Sequence, residues 1–172
     1  TPSVPTIVSI TPSTGTVVLS DLPASGTWTL TMAPGGTTTT GTGTSTTITG
    51  LAPGTYTYTV TNASGCTSAA SANVFINAAP TANAGPDKPV ILPTNSTSLT
   101  GSGSDADGTI IGYDWKQLSG PSANVLFSLN TAVTYANNLI EGTYEFELMV
   151  TDNMGAKSRD TVHVLVAGII NP

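Results

Sequence analysis

The sequence predicts an all-β chain of two antiparallel β-sandwiches in tandem. Three observations carry that reading. Apolar residues alternate with polar ones and nowhere keep a sustained helical period. Clusters of glycine, proline and aspartate punctuate the alternating runs at short intervals. One plan of elements is written twice along the 172 residues.

The alternation is clean. In 27–32, Trp28, Leu30 and Met32 face one way and threonines the other. In 55–60, Tyr56, Tyr58 and Val60 share a face. In 144–150, Glu145, Glu147 and Met149 lie opposite Tyr144, Phe146, Leu148 and Val150. Such runs suit strands with one buried face, and the many threonines and valines are good strand formers. The turns between them fall at Pro34-Gly35-Gly36, Ala52-Pro53-Gly54, Asp107-Gly108, Ser119-Gly120-Pro121 and Glu141-Gly142.

The repeated plan is most visible where Leu51-Ala52-Pro53-Gly54-Thr55-Tyr56 is echoed by Leu139-Ile140-Glu141-Gly142-Thr143-Tyr144. Each echo continues into an alternating strand, the second longer by two residues. Each follows a single tryptophan, Trp28 or Trp115, and precedes a turn at Gly65 or Gly155. A last apolar strand then comes, Val74-Phe75-Ile76 or Val162 to Val166. In immunoglobulin-like sandwiches a tyrosine at the start of one strand bonds back to the preceding corner, and a tryptophan fills the core. Tyr56 and Tyr144 therefore read as tyrosine corners, and Trp28 and Trp115 as core tryptophans. The expected architecture is two tandem immunoglobulin-like antiparallel β-sandwiches. Residues 1–79 form the first, 80–168 the second, and 169–172 begin a linker. Alanines and a proline at 78–80 mark a joint of restricted hinge angle, because proline limits itself and the residue before it.

Residues 80–167 resemble a PKD domain, the β-sandwich module first named from polycystic kidney disease protein. The resemblance rests on Ala84-Gly85-Pro86-Asp87, Gly103-Ser104-Asp105-Ala106-Asp107-Gly108, Tyr113-Asp114-Trp115, Gly142-Thr143-Tyr144 and the run from Val150-Thr151-Asp152-Asn153 to Gly155. Residues 1–79 are similar to immunoglobulin-like or fibronectin-III-like repeats of large secreted or cell-surface bacterial proteins, such as adhesins and polysaccharide-degrading enzymes. That similarity rests on Leu51 to Tyr56 and on Asn62-Ala63-Ser64-Gly65-Cys66. Together the two resemblances imply an extracellular or cell-surface accessory role.

Composition narrows the function. Only 8% of residues are charged and the net charge is −6. A nucleic-acid partner needs a basic footprint, and an anionic membrane surface attracts cations, so neither is expected. No apolar run approaches the length of a membrane span. No charged-then-apolar leader opens the sequence, and 1–5 and 171–172 read as linker, so an internal stretch of a longer protein is expected. The single cysteine, Cys66, can form no internal disulfide. It reads as a buried or half-buried thiol, or as one that pairs outside this stretch.

Chemistry is scarce. Residues 1–79 hold one carboxylate, Asp21, and no lysine, arginine or histidine. No acid–base pair, carboxylate metal site or lysine-based isopeptide cross-link can be built from that set. In the second half, His163 alternates with Val162 and Val164 and is expected to point to solvent. Glu145 and Glu147 lie about 7 Å apart on one strand face. Glycosidases pair carboxylates at comparable spacing, but an ordinary solvent face does so too.

The acidic loops are more suggestive. Asp87, Asp105, Asp107, Asp152 and Asn153 map to the chain start and two loops expected at one end of the sandwich. They could supply oxygens to a Ca²⁺ that stiffens the joint with the preceding module. The alternative is a set of Asx turns without metal. For sugars, Trp28, Tyr56, Tyr58, Phe75, Tyr113, Trp115, Tyr144 and Phe146 are assigned to core faces, which leaves Tyr135 and Phe127. The run Thr37–Thr47 reads as an exposed Gly/Thr-rich hairpin or loop, with 37–49 the candidate strand edge for protein adhesion.

The expected function is thus a non-catalytic spacer or adhesive module of a larger extracellular bacterial protein. Its partners are expected to be other domains of the same polypeptide, a polysaccharide or a surface protein. The alternative is a carbohydrate-binding module attached to a polysaccharide-degrading enzyme.

Overall fold

The computed structural model describes residues 1–123, 126–127 and 129–168, with Phe127 described for its backbone alone. The residues expected to begin a linker, 169–172, lie outside that set. The described residues are all-β apart from one 3-10 turn, Pro12–Thr14. It divides into two compact units between Ala78 and Ala79.

The first unit contains β1 (Thr6–Thr11), β2 (Thr16–Ser20), β3 (Trp28–Ala33), β4 (Thr38–Gly41), β5 (Thr46–Ile48), β6 (Gly54–Thr61) and β7 (Val74–Ile76). They form two antiparallel sheets, ordered β1-β2-β5 and β4-β3-β6-β7. The inward positions of both sheets meet in one core: Val17 and Leu19 from β2, Trp28 and Leu30 from β3, Tyr58 and Val60 from β6, Val74 and Ile76 from β7. Strand alternation decides membership, because every second residue points the other way. Phe75, assigned above to the core, sits between Val74 and Ile76 and is half-buried on the opposite face.

The threonine-rich run is not a hairpin. Its first part, β4, pairs with β3, while its second, β5, pairs with β2 in the other sheet. The chain crosses between sheets there and leaves an edge strand in each. A hairpin would need β4 and β5 to pair with each other, and the two apolar partners, Leu30 and Val17, sit in different sheets.

Two serines extend the β6–β7 pairing where the last strand is irregular. The N–H of Ser71 donates to the Tyr58 carbonyl at 2.8 Å, and the Tyr58 N–H donates to Ser71 Oγ at 3.0 Å. Ser68 repeats this with Val60, at 2.9 and 3.0 Å. Each buried serine supplies both halves of a ladder step, so the buried backbone of β6 keeps its partners.

The second unit contains β8 (Thr81–Asn83), β9 (Lys88–Ile91), β10 (Thr97–Thr100), β11 (Ser102–Ser104), β12 (Ile110–Ser119), β13 (Leu126–Phe127), β14 (Val133–Ala136), β15 (Gly142–Asp152) and β16 (Lys157–Ala167). One face is β12-β15-β16-β9, and the other comprises β10-β14-β13 with the short pair β11-β8. The first strand is split: β8 pairs with β11, then the chain crosses and β9 runs parallel to β16. Between the faces lie Trp115, Tyr144, Phe146, Leu148, Val150, Val162, Val164 and Val166, closed by Leu99, Ala136 and Leu139.

The two cores share devices. Tyr56 Oη donates to the Ala52 carbonyl at 2.8 Å. Tyr144 Oη accepts the Ile140 N–H at 3.0 Å and shares a 2.6 Å hydrogen bond with Ser122 Oγ. Both tyrosines thus reach back four residues, as their motifs predict. Gly54 and Gly142 begin these strands at φ of 150° and 137°, a region that favours glycine. Each tryptophan also packs on a glycine. A Cβ at Gly41 would lie 2.5 Å from Trp28 Cη2, and one at Gly101 would lie 2.8 Å from Trp115 Cζ2.

Candidate functional site

The acidic loops of the second unit are organised by backbone. Asp152, fully buried at the end of β15, accepts the N–H groups of Met154 and Ala156 through Oδ1, each at 2.8 Å. That closes the turn into β16. Asn153 Oδ1 accepts the Thr109 N–H at 2.8 Å, and its own N–H donates to the Thr109 carbonyl at 2.9 Å. This fastens the β15–β16 turn to the loop before β12. Asp105 Oδ1 takes the Asp107 N–H at 3.4 Å. Gly108 explains why a glycine follows Asp107: a Cβ there would lie 2.2 Å from Asn153 Oδ1 and 2.5 Å from Asp105 Oδ2. Asp105, Asp107, Asp152 and Asn153 are therefore brought to one end of the unit, where the side chains of Asp105, Asp152 and Asn153 accept backbone N–H groups, Asp105 and Asp152 in the manner of Asx turns.

Asp87 is not with them. It precedes β9, which crosses to lie along β16, and its Oδ1 accepts the His163 N–H at 2.8 Å. His163 Nδ1 lies 3.6 Å from the same oxygen. His163 is six residues along β16 from Lys157 at the acidic turn, which is about 20 Å at strand rise. The expected five-residue calcium set is thus split, because the first strand changes sheets before Asp87 can join the loops. Among the described residues, no group of three or more His, Cys, Asp or Glu side chains is gathered to hold a metal ion.

The remaining titratable side chains serve strand faces. His163 points to solvent beside Val162 and Val164, which are buried. Glu147 Oε1 lies 3.3 Å from Arg159 Nε on the neighbouring strand, and Glu145 aligns with His163. Asp160 Oδ2 accepts the Ala84 N–H at 2.8 Å and so anchors the segment after β8. Tyr135 is 54% exposed on β14, while the side chain of Phe127 lies outside the described residues. Cys66 is a free, exposed thiol, not the buried or half-buried one expected. The reason is local: Asn62 Oδ1 accepts the N–H groups of Ser64 and Cys66, and this tight turn carries the side chain at its surface.

No sequence motif marks the concavity of the first unit. Between the sheets of the first unit a cleft of about 290 Å³ is lined by Leu30, Met32, Thr39, Ile48, Leu51 and Tyr58, among others. Burial and the neighbouring Tyr56 push the Tyr58 phenol up to about 12. Its hydroxyl is buried and, among the described residues, has no hydrogen-bond partner.

Residues 84–166 match the family model described as K319L-like, PKD domain. Residues 84–166 form a PKD domain. This PKD domain begins at the Asp160-anchored Ala84 and ends in β16, and it includes the Trp115 and Tyr144 core and all the acidic loops. The chain is 37% identical over 115 residues to the dyslexia-associated protein KIAA0319-like protein of Mus musculus, covering 64% of this chain and 11% of that protein. It is 36% identical over 100 residues to low-density lipoprotein receptor-related protein 11 of Homo sapiens, covering 58% of this chain and 20% of that protein. The solution structure of the PKD domain from KIAA 1837 protein aligns at a TM-score of 0.48 and 41% identity, covering 53% of this chain and 89% of that one. The chain therefore spans between a tenth and a fifth of the curated relatives described. Those relatives are mammalian, so they lend no support to the bacterial setting expected from the first half.

Proposed function

We propose that this chain is a non-catalytic module of a larger extracellular protein, where it spaces or presents neighbouring domains of the same polypeptide. The observation that carries the reading is the use of its polar side chains. The first unit has one carboxylate and no lysine, arginine or histidine. In the second, Asp152 and Asn153 hold turns, Asp160 and Asp87 hold the first strand to β16, and Glu147 pairs across strands. A general acid or base must reach a substrate from a concave site; Asp87, Lys88 and His163 line a shallow hollow beside Leu165, but Asp87 Oδ1 is engaged with the His163 N–H, and the other groups hold backbone or lie on sheet faces. The likeness to a protein named as receptor-related supports the extracellular placement.

The test is a binding screen of the whole chain against cellulose, chitin, xylan, alginate and starch, with and without calcium. The spacer reading expects no saturable, competable binding. Saturable binding to one glycan would replace it with a carbohydrate-binding module and direct mutagenesis to Tyr135, the exposed ring on β14.

A further inference from the structure

The inter-sheet cleft of the first unit has the makings of a small-molecule site, which goes beyond the spacer reading. Its volume, about 290 Å³, is near the lower bound of ordinary ligand pockets. It exists because β4 carries threonines where the facing strand carries larger groups: Thr39 pairs with Leu30 across the ladder, and Ile48 and Leu51 lie among the other walls. Thr39 is exposed on this edge strand, so its short side chain leaves the cleft open on that side.

The walls are uncharged. Leu30, Met32, Ile48 and Leu51 are apolar, and the first unit's single carboxylate, Asp21, is not among the lining residues. Thr37, Thr39 and Thr49, all exposed, add hydroxyls to the walls, and Tyr58 adds the buried one. Tyr58 is 1% exposed, and its hydroxyl has no partner among the described residues. An unmet buried hydroxyl is costly, so a ligand that meets it gains affinity that apolar burial alone does not give. With its pKa pushed up to about 12, the phenol stays protonated and donates at any physiological pH. Met32 is only partly buried, and its unbranched side chain can turn aside to admit a guest.

We propose that this cleft binds a small, neutral compound carrying one hydrogen-bond acceptor, with the Tyr58 hydroxyl as donor. A charged ligand is excluded by walls that offer it no counter-ion.

The test uses the whole chain and three probes of similar size: cyclohexanone, methylenecyclohexane and cyclohexanecarboxylate. Binding is read from the NMR methyl signals of Met32, Ile48 and Leu51. The proposal expects saturable shifts with cyclohexanone, about tenfold weaker binding of methylenecyclohexane, and none of the carboxylate. Tyr58→Phe should bring the first two probes to equal affinity while the spectrum keeps its dispersion. Thr39→Leu, which fills the cleft, should abolish binding of both, and Thr39→Val serves if the larger residue disturbs the fold. Absence of saturable shifts, or equal affinity of ketone and alkene in the unmodified protein, overturns the proposal.

Discussion

The hydroxyl of Tyr144 accepts the backbone N–H of Ile140, four residues upstream, at 3.0 Å. In the first unit the equivalent hydroxyl of Tyr56 does the reverse, donating to the Ala52 carbonyl at 2.8 Å. One motif therefore closes two corners with opposite hydrogen-bond polarity. A phenol can do either, since it is both donor and acceptor.

The polarity and burial of the two corners predict unequal costs. Tyr144→Phe strands a part-buried N–H and removes the partner of Ser122, so it should cost about 1–3 kcal/mol. Tyr56→Phe frees a carbonyl that water can reach, and should cost about 0.5–1.5 kcal/mol. Urea unfolding of the whole chain measures both, and equal or reversed costs would refute the distinction.

Glycines beneath the tryptophans are predicted to be intolerant of a single methyl. Gly101→Ala would place Cβ 2.4 Å from Leu148 Cδ2, and Gly41→Ala would place it 2.5 Å from Trp28 Cη2. Each should destabilise by about 1–3 kcal/mol through overpacking. Gly112→Ala is the control: its nearest neighbour would be 3.6 Å away, and its effect should stay within about 0.5 kcal/mol. Thermal unfolding distinguishes the three.

Much of this was legible from spacing alone. Trp28, Leu30, Tyr58 and Val60 were assigned to the core because strand alternation leaves one choice of face, and the same rule placed His163 in solvent. The same period turns Phe75 away from the core, because its neighbours Val74 and Ile76 fill the inward positions. The fate of the threonine run was not legible, because sheet membership depends on long-range pairing and a run without apolar residues carries no facing signal. The position of Asp87 was hidden for a related reason: nothing in Gly85-Pro86-Asp87 announces that the first strand changes sheets. The serine steps at Ser68 and Ser71 had a readable sign, a spacing of three beside an alternating strand, but only the pairing gives it meaning.

Alkaline pH should weaken the first unit through Tyr58. An unfolded tyrosine loses its proton near pH 10, whereas Tyr58 keeps its own to about 12. Between those values the unfolded state binds fewer protons, so stability falls as pH rises; below that range this contribution is fully present. Tyr58→Phe removes that slope. Because it also removes an unpartnered buried hydroxyl, it should leave stability at neutral pH unchanged or raised. A steeper alkaline loss in the variant would contradict the assignment.

The turn closed by Asp152 is predicted to depend on its acceptor and not on a metal. Asp152→Ala loses the bonds from Met154 and Ala156 and should cost at least about 2 kcal/mol, while Asp152→Asn keeps an acceptor oxygen and should lose less. Millimolar calcium should leave the melting temperature of the unmodified chain where a chelator puts it. A clear rise with calcium would mean that the acidic loops bind the ion despite the displacement of Asp87.

If the chain works without chemistry of its own, as proposed, a turnover screen tests it most directly. The whole chain would be incubated with chromogenic glycosides, esters, phosphates and peptide amides at pH 5 to 9, beside a heat-denatured control. We predict rates indistinguishable from the control throughout. Turnover that saturates with substrate and disappears when Glu145, Glu147 or His163 is replaced would contradict the claim.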